Sequence, residues 1–129
     1  MSENFTVEII SPDKSIIKTE TNEVIIPSFE GEMGILKDHI PFITFLRPGI
    51  VKLSDKNMER YFIEEGTVEF SNNNLLILTS TAKKISDINQ KYVDILISEA
   101  EKKINDDHTT DKEKYILSYK IETLKNINV

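Results

Sequence analysis

His39, with Asp38 directly before it, is the pair in this chain of 129 residues that most invites a catalytic reading. An imidazole beside a carboxylate is the raw material of general acid–base chemistry: the acid fixes one ring nitrogen while the other moves a proton. Neighbours on an extended segment point to opposite faces, however, so adjacency does not make a dyad. No nucleophile elbow, phosphate-binding glycine loop or H-E-x-x-H motif accompanies them. The other histidine, His108, is distant in sequence and there is no cysteine, which excludes disulfides and thiolate metal sites and argues against zinc. The expectation is a structural or interface role for His39, with no catalytic, cofactor-binding or metal-binding residue in the chain. The second suggestive group is the acidic tip Glu30-Gly31-Glu32. Carboxylates on a glycine turn are either a solvated bend or a polar contact for a partner.

Composition narrows the partners. The net charge is −6, which argues against nucleic acid or anionic lipid as the main target. No run approaches the roughly 20 apolar residues of a membrane span, so any membrane link is expected to be indirect. Met1-Ser2-Glu3-Asn4 is neither a signal peptide nor an Arg-rich transit sequence, which favours the compartment of synthesis.

The elements that must position these residues show two periodicities. From Phe5 to about Lys84 the period is two: Phe5, Val7 and Ile9 alternate with polar residues. Ile16-Ile17, Val24–Ile26, Val51 and Leu53, Tyr61–Ile63, Val68 and Phe70, and Leu75–Leu78 continue the series. Ser11-Pro12-Asp13, Asp55-Lys56-Asn57 and Asn72-Asn73-Asn74 read as turns, asparagine tolerating the left-handed region. Short strands with turns at this spacing predict a β-sandwich or barrel. Between them, residues 27 to 49 read as a shaped loop and then a hairpin. Its strand-like flanks are Ile43 with Phe45 and Ile50 to Leu53. Pro48-Gly49 fits the centre of a type II turn.

At Ser86 the period changes. Asp87 is a candidate cap, with Gln90 in the reciprocal position. Ile88, Tyr92, Ile95, Leu96 and Ala100 form an apolar stripe, with Val93 at its edge and Ile104 extending it. Residues 105–109 break the pattern. Thr110 opens a second helix with Glu113 completing a T-x-x-E box, and Leu117, Ile121 and Leu124 make its stripe. The short polar link predicts an antiparallel helical hairpin, marginal alone and dependent on what it packs against. The fold class is thus α+β: an antiparallel β-sandwich over residues 1–85, then the hairpin over 86–129.

PSFEGEMGILKDHIPFITFLRPG, Pro27 to Gly49, resembles the signature of the ATP synthase epsilon subunit family, called delta in mitochondria. That signature runs P-G-x-E-G-x-x-G-x-L-P-G-H-A-P and then an apolar stretch to L-x-P-G. Pro27, Glu30, Gly31, Gly34, Leu36, His39, Pro41, Leu46, Pro48 and Gly49 match. The chain departs at Ser28, where the family has glycine, and at Lys37-Asp38, where it has Pro-Gly. FTVEIISPDKSII and EEGTVEFSNNNLLILTSTA also resemble family segments, with Glu65 in place of a glycine.

The resemblance implies a non-catalytic central-stalk subunit of the proton-translocating ATP synthase. It implies that the sandwich binds the gamma subunit and the c subunits of the rotor ring, at the cytoplasmic face of a bacterial inner membrane. Glu30, Gly31 and Glu32 would face the ring, with Glu32 the preferred contact, and His39 would lie toward gamma. The hairpin would be regulatory, inhibiting hydrolysis by reaching the alpha and beta subunits of the catalytic head. Some members bind ATP through I/L-D-x-x-R-A; here Ile88-Asn89-Gln90-Lys91-Tyr92-Val93 lacks the acid and the arginine, so an ordinary amphipathic helix is the expectation. The rival readings are a free-standing β-sandwich ligand-binding module and a small hydrolase built on His39.

Overall fold

A computed structural model of the chain describes residues 3–54 and 58–127. The turn expected at Asp55-Lys56-Asn57 lies outside the described residues. The strands are β1 (Phe5–Ile10), β2 (Ser15–Thr21), β3 (Glu23–Ser28), β4 (Gly31–Leu36), β5 (Phe42–Leu46), β6 (Gly49–Leu53), β7 (Arg60–Ile63), β8 (Gly66–Ser71), β9 (Asn74–Leu78) and the short β10 (Lys83–Lys84). A single 3₁₀ turn, Ile85–Asp87, leads to helices α1 (Gln90–Ile104) and α2 (Asp111–Lys125).

The strands form one hydrogen-bonded sheet in the order β10-β7-β6-β3-β5-β8-β9-β1-β2, with β4 beside β3. It folds over on itself around a core that includes Phe5, Val7, Ile9, Val24, Ile26, Ile35, Val51, Ile63, Val68, Phe70 and Ile77. These are largely the inward positions that alternation predicts. Pairing is antiparallel except between β1 and β9, which run parallel. At the β8–β9 turn Asn72 and Asn73 take φ of 51° and 58°, the paired left-handed residues of a type I′ turn.

Three expectations for residues 27–49 are corrected. Gly31–Leu36 is a strand paired along its length with β3, so the loop shrinks to the two-residue turn Phe29-Glu30. β5 and β6 do not form a hairpin: β5 pairs with β8 and β3, and β6 with β7 and β3. Pro48-Gly49 is not a type II turn, because Gly31 is the only glycine with positive φ. Gly49 is needed for a different reason. A Cβ built on it would lie 2.5 Å from the Cβ of buried Pro27.

The helices form as expected, with shifted details. α1 is capped by Asn89, whose side chain accepts from the Tyr92 N–H, and Asp87 falls in the 3₁₀ turn instead. Its buried face centres on Val93 and Ala100 with Leu96 and Ile97 beside them, while Ile95 is exposed. The face is thus rotated from the expected stripe, because α1 must cover both α2 and the sheet. α2 starts at the expected cap. Thr110 Oγ1 accepts from the Glu113 N–H at 3.1 Å and lies 3.0 Å from the Glu113 carboxylate. Thr110→Ala should cost about 1 kcal/mol. The check is a lower urea midpoint at unchanged slope.

Candidate interaction site

The acidic tip is built by its turn. Gly31 has φ 122°, which a side-chain-bearing residue rarely adopts. The buried Ser28 donates its hydroxyl to the Gly31 carbonyl at 2.7 Å and accepts from the Glu30 N–H at 3.3 Å. Serine at the position where the resembled signature has glycine therefore ties the turn down. Glu30 projects into solvent. Glu32 pairs with Lys52 at 3.7 Å, both side chains about half exposed. It also lines an open cleft of about 390 Å³ shared with Arg47, Arg60 and the last turns of α2 at Tyr119, Glu122 and Asn126.

His39 lies beyond the other end of β4, so the structure does not bring it to the tip; six residues of strand intervene. Its ring packs edge-on against Phe42 at 5.2 Å and Phe70 at 6.0 Å. Nδ1 sits 2.8 Å from the Ile40 carbonyl. A carbonyl only accepts, so Nδ1 carries the proton. Asp38 turns away to bond Asn73. The acid–base pair suggested by adjacency does not form, and the imidazole serves as a ring packed on Phe42 and Phe70, next in the chain to an exposed Ile40.

A feature missed in the sequence lies on the outer face of β5. Ile43 is 73% exposed and Phe45 63%. Opposite them on β8 stand Glu69 and Thr67, and beyond those on β9 Leu76 and Leu78. Phe45, Leu78 and Phe29 line an open groove of about 780 Å³ that also meets Ile116 of α2. Large apolar side chains left exposed around a groove with polar residues among them mark a docking face. The signal was available: in FITFL the outward positions are as apolar as the inward ones, which a half-solvated strand would not be.

The hairpin is docked on the outer face of β6 and β7. Phe62, Ile85, Ile88, Val93 and Leu124 form a second buried cluster, joined by Ile50 and Tyr92. Its rim is polar. Lys120 meets Glu64 at 2.6 Å, and the Arg47 guanidinium lies 4.2 Å from the centre of the Tyr119 ring. Arg47 also donates from Nη1 to the Pro48 carbonyl at 3.1 Å, while its Nε is buried without a hydrogen-bond partner among the described residues. Tyr92, in the stretch compared with an ATP motif, has its phenol pushed up by burial first and by the Glu64 charge second. Asn89 spends its side chain on the helix cap. The cleft between the helices and the sandwich is lined by Glu64, Glu65, Glu99 and Glu113 as well as Lys103 and Lys120. Carboxylates in that number disfavour phosphate groups there.

Comparison with known proteins places this geometry. The family model of the ATP synthase delta/epsilon chain β-sandwich domain matches residues 4–85. The ATP synthase epsilon chain of Pelagibacter ubique is 48% identical over 99% of this chain and 100% of its own length. That of Dichelobacter nodosus is 34% identical over 81% of this chain and 74% of its own. Among solved structures, a chain of the Euglena gracilis mitochondrial ATP synthase (OSCP/F1/c-ring, rotational state 1) superposes with a TM-score of 0.80. It is 22% identical, over 97% of this chain and 81% of that one. A chain of the Tetrahymena thermophila mitochondrial ATP synthase central stalk and c-ring gives 0.67 at 16% identity, over 93% and 92%. At these identities the two structures bear on the fold.

Proposed function

This chain belongs to the ATP synthase delta/epsilon family, and from that premise we propose that its sandwich joins the gamma subunit to the ring of c subunits. Rotation of the ring then reaches the catalytic head through it. Its relatives are a non-catalytic part of the complex, and here the His39 ring is packed against Phe42 and Phe70. The free-standing ligand-binding module is not favoured, because an epsilon chain matches over the full length.

The outer face of β5 and β9 carries the partner assignment. Ile43, Phe45 and Leu78 are too exposed for a lone subunit and suit a permanent neighbour, which we take to be gamma. The loop bearing His39 leads straight into that face, consistent with a position toward gamma. Glu30, Gly31 and Glu32 turn to the polar loops of the ring, where a rim carboxylate tunes docking more than it supplies affinity.

Residues 1–85 are the coupling domain and 86–129 a regulatory hairpin, which on leaving β6 and β7 would present its apolar stripe to the alpha and beta subunits. The complex is membrane-associated, and among the described residues no helix is long and apolar enough to cross a membrane. We place the subunit at the cytoplasmic face of a bacterial inner membrane, held there by its partners.

The test is co-purification of the full chain with the gamma subunit and the c ring. Phe45→Asp should weaken gamma binding by about a hundredfold or more, as charge at the centre of an interface does, with little change in thermal stability. Unaltered binding by that variant would place gamma elsewhere, and a parent chain that captures neither partner would end the proposal.

A further inference from the structure

We propose that Asn73 is a positioning residue for the partner-facing loop of residues 37–41, reaching across from the β8–β9 turn to set the backbone that carries His39 and Ile40. The identity of the partner rests on the preceding reading; the positioning itself rests on the geometry of Asp38 and Asn73.

Asp38 has φ 67° and Asn73 φ 58°. Both are left-handed positions that glycine fills at no steric cost. Asn73 is moreover the second central residue of a type I′ turn, where Asn-Gly is the favoured pair. Each position nevertheless keeps a side chain, and the two meet across 35 residues of sequence. The Asp38 N–H donates to Asn73 Oδ1 at 2.7 Å, and Asn73 Nδ2 donates to Asp38 Oδ1 at 3.0 Å. The neighbouring Asn72 takes part through its backbone alone, its carbonyl accepting from Asn74 Nδ2. The turn itself therefore does not call for the Asn73 side chain; the clamp does.

What the clamp fixes is the loop's exit from β4. Directly after it the His39 N–H donates to the Leu36 carbonyl at 3.1 Å, and the imidazole is laid on Phe42 and Phe70. Ile40 is left 74% exposed and Leu36 55%, an apolar knuckle on an ordered backbone. Ordering the loop before encounter removes a cost that binding would otherwise carry. The clamp also supplies by side chains what Pro-Gly supplies by backbone in the resembled signature, where this chain has Lys37-Asp38.

Asn73→Gly in the full chain isolates the effect, since it leaves the favoured Asn-Gly turn and deletes only the clamp. Exchange of the Asp38 and His39 amide hydrogens should speed up by about tenfold, and the affinity for gamma should fall by about tenfold, at unchanged thermal stability. Asp38→Asn keeps the Oδ1 acceptor and should bind like the parent, as should Asn72→Gly, which alters the same turn outside the clamp. Unchanged exchange at residues 38 and 39 in Asn73→Gly overturns the positioning role, and faster exchange with undiminished gamma binding overturns its bearing on the partner. A parent chain that does not bind gamma refutes the partner reading instead, and the exchange rates still decide whether Asn73 orders the loop.

Discussion

Phe62→Ala should remove about 3–5 kcal/mol of stability and free the helical hairpin from the sandwich. Phe62 is 1% exposed, although it lies on the outer side of its sheet. Tyr61 and Ile63, to either side, point into the sandwich core, whereas Phe62 points the other way, into the cluster with Ile85, Ile88, Val93 and Leu124. Its cross-strand neighbour Ile50 shares that face. Truncation to alanine leaves a void under both helices, with Ile50 the sheet residue that still packs against them in this cluster. The Lys120–Glu64 pair is partly solvated and worth little alone. The expected picture is a lower urea midpoint, together with faster proteolysis around residues 85–89 at protease levels that leave the parent intact. A loss below about 1 kcal/mol would mean that the helices are held by something other than this cluster.

Gly49→Ala should cost about 2–3 kcal/mol, large for a single methyl group. The added Cβ would stand 2.5 Å from Pro27 Cβ and 2.8 Å from its Cγ. A proline ring cannot swing aside, so β3 and β6 must part where Val24 and Ile25 pair with Leu53 and Lys52. Gly34→Ala is the control. Its nearest neighbour is the Glu23 carboxylate at 3.5 Å, an ordinary contact, so its melting temperature should match the parent's within a degree or two. Equal melting of the two variants would contradict the steric argument.

Much of this architecture was legible because one face of most strands is solvated. The alternation of Phe5, Val7 and Ile9 names the inward side directly. The register of residues 27–49 was not legible. Glycines and prolines there suggested turns, yet Gly49 answers a close approach from Pro27, a residue 22 positions earlier, and no local rule reports such a distance. The hairpin's docking place looked undetermined, though a clue was present: three consecutive apolar residues, Tyr61-Phe62-Ile63, require both faces of β7 to be covered. Similarly, Asp38 invited a partnership with its neighbour His39. Its partner proved to be Asn73, because a left-handed residue on a bend can meet another bend more easily than it can meet the next side chain along.

The pairing of β3 has a mechanical corollary. Along one edge it holds β4, and along the other it holds β6 at Val24 and Ile25 and β5 at Ser28. A tug on the Glu30 bend therefore enters both leaves of the sheet through a single backbone. Neither leaf can slide over the other without first parting peptide hydrogen bonds on that strand. A torque applied at the bend would be handed on as by a solid, with little lost to shear.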